Sequence, residues 1–205
     1  MSIRTVIFDF GNVIAFFDHG RAIARLAEFT DIDPVELTLI LYGGAPEDLY
    51  ERNAITTDEY VRDGLLNGHL RCTREQFLAA FVDIFWRNDE VCALIPRLKP
   101  KYRLLIASNT NEAHFQRYAR QFADVLVHFN HLCTSMTARA RKPEPAFFAH
   151  VQAHANAEPN ECLFVDDLPT NVEAAKKFGW RGIAYRADGT LTDKLRAAGV
   201  EVGTT

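Results

Sequence analysis

The chain has 205 residues, enough to bury a sizeable core, and that length suggests one domain or one domain with a large insertion. With 48% hydrophobic and 24% charged residues it has the composition of a globular enzyme, and a formal net charge of −4 argues against nucleic acid or an anionic membrane as partner. No run approaches the roughly 18 apolar residues of a membrane span, and Asp9 interrupts the first apolar run before an export signal could form.

Residues 6–14 (VIFDFGNVI) open the pattern. Val6, Ile7 and Phe8 predict a strand buried on both faces, ended by Asp9 and turned by Gly11 and Asn12. Helical spacing follows over 21–29, and Asp33-Pro34 opens a second helix that reaches Leu41 before Gly43-Gly44 stops it. Thr56 with Glu59, and Thr73 with Gln76, have the spacing of capping boxes, the second heading an apolar segment that ends at Trp86. Residues 16–88 therefore read as all-helical. That is too long for a crossover helix, so they predict an inserted helical domain.

Alternation resumes at 89. A helix over 89–99, kinked or shortened by Pro96, precedes a strand at 102–107 that ends in Ser108-Asn109-Thr110-Asn111. A helix through Tyr118 and weaker strand signal at 125–134 lead to the basic segment 139–142, closed by Pro143 and Pro145. A helix at 146–155, the strand Cys162–Val165 ending in Asp166-Asp167, a helix at 170–178 and a strand over 182–185 complete the chain, with fraying expected over 203–205. Strand–helix repetition with buried strands predicts an α/β fold with a doubly wound parallel sheet. The expected division is a core of 1–15 and 89–205 carrying a helical insertion at 16–88. The four cysteines, Cys72, Cys92, Cys133 and Cys162, are far apart among apolar residues and read as small buried hydrophobes in a reducing cytosol.

In a parallel sheet the strand ends at Asp9, at Ser108-Asn109 and at Asp166-Asp167 share one edge, and Lys142 lies in a loop that reaches it. A carboxylate nucleophile, a hydroxyl and an amide, a cation and an acidic pair meet the needs of phosphoryl transfer. Magnesium suits such hard oxygen ligands. An acidic pair ending an apolar strand costs desolvation unless it is paired or metal-bound. His150 and His154 have the spacing of a zinc pair on a helix face, but no third ligand is evident nearby in the sequence.

FDFGNV, ASNTN, RKP and FVDDLPTN, in this order, resemble the four motifs of the haloacid dehalogenase superfamily, chiefly its phosphatases. The resemblance implies a Rossmann-like core with a helical cap and hydrolysis of a small phosphorylated metabolite through an aspartyl-phosphate. It implies Asp9 as nucleophile, and magnesium on Asp9, the Gly11 carbonyl, Asp167 and Asp166, the last directly or through water. Ser108 and the Asn109 amide would hold phosphate oxygens, Lys142 would neutralise Asp9 and the transferring group, and Asn171 would orient the acidic pair. Cap residues near Phe16, Phe17 and Tyr42-Gly43-Gly44 would select substrate.

The chain departs from the family at Gly11, where its phosphatases usually carry an Asp that acts as general acid, a role worth about 10²–10⁴-fold. The DxGNV form is similar to a branch containing α-D-glucose-1-phosphate phosphatases, whose anomeric leaving group needs little protonation, so sugar phosphates are among the expected substrates. Asp18 is the candidate substitute acid. The alternatives are a 2-haloacid dehalogenase, whose fourth motif lacks an acidic pair, and a non-catalytic protein that binds phosphorylated ligands.

Overall fold

Val6, Ile7 and Phe8 are fully buried in β1 (Thr5–Phe8), the middle strand of a five-stranded parallel sheet in the computed structural model, which describes residues 2–203. With β4 (Arg103–Ser108), β5 (His131–Thr134), β6 (Cys162–Asp166) and β7 (Arg181–Ala184), the strand order is β5-β4-β1-β6-β7. Ile7 lies beside Leu105 on one neighbour and Phe164 on the other. Alternate residues feed two apolar layers, as a sheet covered on both faces requires. Val6, Phe8, Leu104 and Ile106 pack with α6 (Asp89–Leu98), α7 (Glu112–Gln121), α8 (Ala123–Leu126) and α12 (Leu191–Ala197). Ile7, Leu105 and Phe164 pack with α10 (Pro145–Gln152) and α11 (Pro169–Phe178). The expected doubly wound sheet is present.

Residues 16–88 are not all helical. Ala15–Phe17 and Phe85–Arg87 form an antiparallel ribbon, β2 and β3, with Phe16 opposite Trp86. Locally these stretches are short apolar runs that fit a helix equally well, and only their pairing across the insertion makes them strands. Between them lie α1 (His19–Leu26), α2 (Pro34–Tyr42), α3 (Ala45–Glu51), α4 (Thr57–Asn67) and α5 (Arg74–Phe81), with Leu26, Leu37, Tyr60, Phe77 and Phe81 in an apolar cluster of their own. Both expected capping boxes form, at Thr56–Glu59 and at Thr73–Gln76, and Asp33 caps α2 ahead of Pro34.

Other boundaries move. α6 contains Pro96 in its last turn and runs on to Leu98; the 125–134 stretch splits into the end of α8 and β5. Short helices α3, α12 and α9 (Ser135–Ala138) had no clear sequence signal. Gly203 is anchored, its carbonyl accepting from Arg97 Nε at 2.7 Å; Thr204 and Thr205 lie outside the described residues. All four cysteines are free, three of them buried, with Cys72 partly exposed. Among the described residues no helix is long and apolar enough to cross a membrane.

Candidate active site

Asp9 leaves β1 with its backbone N–H donating to Val165 O at 2.8 Å, which fixes it against β6. It is 7% exposed. Its Oδ1 accepts from Phe10 N at 2.7 Å and faces Lys142 Nζ at 2.7 Å, while Oδ2 accepts no hydrogen bond among the described residues. Lys142, buried against its usual preference for solvent, also reaches Asp166 Oδ2 at 2.8 Å. Its loop is fixed by the Asn109 side chain, which donates from Nδ2 to Lys142 O at 3.1 Å and accepts Lys142 N–H at 2.8 Å. The end of β4 is thereby tied to the lysine.

Asp166 is fully buried and saturated. Oδ1 accepts from Leu168 N at 2.8 Å, Oδ2 from Lys142, and Asn171 Nδ2 reaches both oxygens at 3.1 Å. Asp167 is half-buried and accepts only from Asn12 Nδ2, at 3.1 Å on Oδ2, among the described residues. Of the acidic pair, Asp167 has the oxygen free for a cation. The carboxylates of Asp9, Asp166 and Asp167 have oxygens within 4.8 Å of one another. Three carboxylates against one ammonium leave two negative charges uncompensated, in a set of hard oxygens that fits magnesium. Burial pushes the Asp9 carboxyl up to about 8, with Lys142 opposing and Asp166 adding to the rise. Burial works against the Lys142 charge, yet the Asp9 and Asp166 carboxylates overcome it and hold the ammonium above its ordinary value. Burial likewise raises Asp167. A cation here would favour the ionised carboxylates against the burial that opposes them.

Ser108, the last residue of β4, is 2% exposed on the same edge, and its hydroxyl donates to Asn109 O at 3.3 Å. Gly11 sits in the turn after β1. A Cβ there would stand 2.8 Å from Phe17 Cε1, so the Phe17 ring covers the place an acidic side chain would take. Asp18, the candidate substitute acid, is engaged in a helix cap. It is exposed, and its carboxylate caps α1 by accepting from Gly20 N at 2.8 Å. Phe16 packs by Trp86 at 6.0 Å, on the ribbon.

Three positioning residues were missed in the sequence. Asn12 holds Asp167 from a left-handed backbone (φ 53°), a conformation Asn tolerates and that its place in a Gly-Asn turn could have signalled. Ser135 exchanges hydrogen bonds with the Thr110 backbone at 3.0 and 2.9 Å, and Arg141 pairs with Glu51 of α3 at 2.6 Å; neither has a local signal. The fold also brings His131 and Cys133 to His154, which the sequence had left without a third ligand. There the His131 and His154 rings stack at 3.7 Å and 14°, so their in-plane lone pairs run nearly parallel, and the cluster reads as packing rather than a metal site.

A family model described as haloacid dehalogenase-like hydrolase matches residues 3–179. Flavin mononucleotide hydrolase 1 of Arabidopsis thaliana is 38% identical over 68 residues, which are 33% of this chain and 28% of that protein. D-ribitol-5-phosphate phosphatase of Bacteroides thetaiotaomicron is 25% identical over 189 residues, covering 87% of this chain and 89% of that one. In fold, the chain is similar to a Bacteroides thetaiotaomicron HAD family enzyme, crystallised as a variant with magnesium and inorganic phosphate. That match has a TM-score of 0.85 at 21% identity and covers 95% of this chain and all of the other.

Proposed function

The chain belongs to the haloacid dehalogenase-like hydrolases, and from that membership we propose that it is a magnesium-dependent phosphatase of a small phosphorylated metabolite. The observation that carries this reading is the buried Asp9–Lys142–Asp166 array with Asp167 beside it. Asp9 Oδ2 attacks phosphorus, the bond to the leaving-group oxygen breaks, and an aspartyl-phosphate forms; water then attacks phosphorus, freeing phosphate and returning the carboxylate. Lys142 opposes the rise that burial imposes on Asp9 and balances charge on the transferring group, Ser108 and the Asn109 amide hold its oxygens, and Asp166 with Asn171 holds Lys142. Magnesium, on Asp9, Asp167 and the Gly11 carbonyl, would neutralise the developing charge. Residues 16–88 act as a cap that excludes water. The absence of an acid at Gly11 favours substrates whose leaving group needs little protonation, anomeric sugar phosphates among them. Four free cysteines are compatible with a reducing, cytoplasmic setting.

The test is phosphate release from a panel of phosphorylated metabolites and 4-nitrophenyl phosphate, with magnesium and with chelator. Turnover is expected to need magnesium, and Asp9→Asn is expected to abolish it while leaving the thermal melt of the fold in place. Retained activity in that variant would rule out the covalent route. A folded protein that binds magnesium but turns over nothing would be a binding protein.

A further inference from the structure

Two polar groups of the helical insertion, on Tyr42 and Glu47, have no hydrogen-bond or ion-pair partner among the described residues. The Tyr42 hydroxyl is buried and unpaired among the described residues. Glu47, half-buried on α3, makes no hydrogen bond or ion pair there either. Glu47 stands one helical turn before Glu51 on the same face, and Glu51 pairs at 2.6 Å with Arg141, the neighbour of Lys142. Tyr42 is linked to the Gly11 turn by ring contacts. Its ring stacks on His19 at 3.8 Å and 5°, His19 lies 5.0 Å from Phe17, and Phe17 covers Gly11. Ring contacts thus link Tyr42 to the ring above Gly11, and Glu47 lies one turn from the residue paired with the chain neighbour of Lys142.

Burying a hydroxyl without a partner costs free energy that a phenylalanine in its place would not incur. Resting on the phosphatase reading, we infer that Tyr42 and Glu47 bind hydroxyl groups on the leaving-group side of the substrate, which is therefore a polyol or sugar phosphate. The Tyr42 ring already packs parallel to His19 and to Phe81, leaving its hydroxyl as the group it offers. Burial, then Glu51, raise Glu47 to about 8 against the pull of Arg141, so near neutral pH this carboxyl both donates and accepts. A donor–acceptor pair of that kind suits neighbouring hydroxyls. The flat, hydroxyl-free ring of an aryl phosphate gives it nothing to bind.

The experiment compares kcat/KM for ribitol 5-phosphate and glucose 1-phosphate with that for 4-nitrophenyl phosphate, in wild type, Tyr42→Phe, Glu47→Leu and Glu47→Gln. Tyr42→Phe and Glu47→Leu are expected to lose about 10- to 100-fold on the preferred polyol or sugar phosphate and to stay within about threefold on the aryl phosphate. Glu47→Gln, which keeps a donor and an acceptor, should retain most activity on both. Tyr42→Phe should melt no lower than wild type, since it keeps the ring and removes only the unpaired hydroxyl. Equal losses on both substrate classes, or no loss on either, would overturn the hydroxyl-binding role and leave the phosphatase reading standing. Magnesium-loaded wild type that hydrolyses neither class would overturn both.

Discussion

Gly11 shows how one side chain's absence is held in place by another's presence. Its φ lies outside the left-handed region, so the backbone itself would accept an L side chain; the obstacle is Phe17, 2.8 Å from where a Cβ would stand. Restoring the family's usual acid by Gly11→Asp should therefore overpack the turn, lowering stability by roughly 1–3 kcal/mol without improving turnover. Gly11→Asp with Phe17→Ala makes room, and the double variant should raise kcat/KM on alkyl phosphates more than on 4-nitrophenyl phosphate, whose leaving group needs no proton. Thermal melts of both variants and the ratio of the two rates decide it. An equal gain on both substrates would mean that proton donation does not limit this enzyme.

At the level of elements, the insertion and the sheet meet where α5 touches α7. His114 of α7 donates Nε2–H to Phe81 O at 3.0 Å and accepts Asn111 Nδ2–H at Nδ1, also at 3.0 Å, so it sits there as the neutral ring. Burial pushes His114 down to about 3 and His19 down to about 4. Folded values below the unfolded 6.5 mean that the folded state binds fewer protons. Stability is then complete above about pH 6.5 and is lost as pH falls toward the folded values. Each histidine should remove about 1.4 kcal/mol by pH 5.5. Denaturant curves at pH 7.5 and 5.5 measure this, and His114→Phe should lose stability at pH 7.5 but show a smaller acid drop than wild type. An unchanged drop would clear His114 of the effect. The strands that carry the site were legible because apolar runs end abruptly in charged or amide residues at Asp9, Ser108-Asn109 and Asp166-Asp167. The ribbon at 15–17 and 85–87 was not, because its pairing spans the whole insertion, and neither was the α3 contact with Arg141, which no local pattern encodes.

Over the whole molecule, α3 is joined to the loop of Lys142 by a network of charges. Arg141 pairs with Asp48 at 2.9 Å and with Glu51 at 2.6 Å, while Arg52 bridges Asp48 at 2.8 Å and Glu144 at 3.0 Å. Apart from the buried Glu51 these side chains are partly exposed, and single pairs of that kind are worth about 0–1 kcal/mol, less in salt. A shared network can still hold one closed arrangement in place at low ionic strength. Asp48→Asn, which loosens two of the links, should speed hydrogen exchange in 45–51 and 139–144 while leaving the central strands protected, and 0.5 M salt should do the same to wild type. Protection unchanged by either would show that apolar contacts alone keep the two parts together.

The β2–β3 ribbon sets Ala15 directly across from Arg87, so the insertion leaves and rejoins the sheet-bearing part at a single point. An inserted unit whose two ends are neighbours is a cassette: it can be lengthened, shortened or exchanged for another without altering the spacing of the strands beneath it. The ribbon is therefore a graft junction, at which one reaction edge can be recombined with different lids. The hydroxyl-reading positions travel with the lid, while Asp9, Lys142 and the acidic pair stay behind.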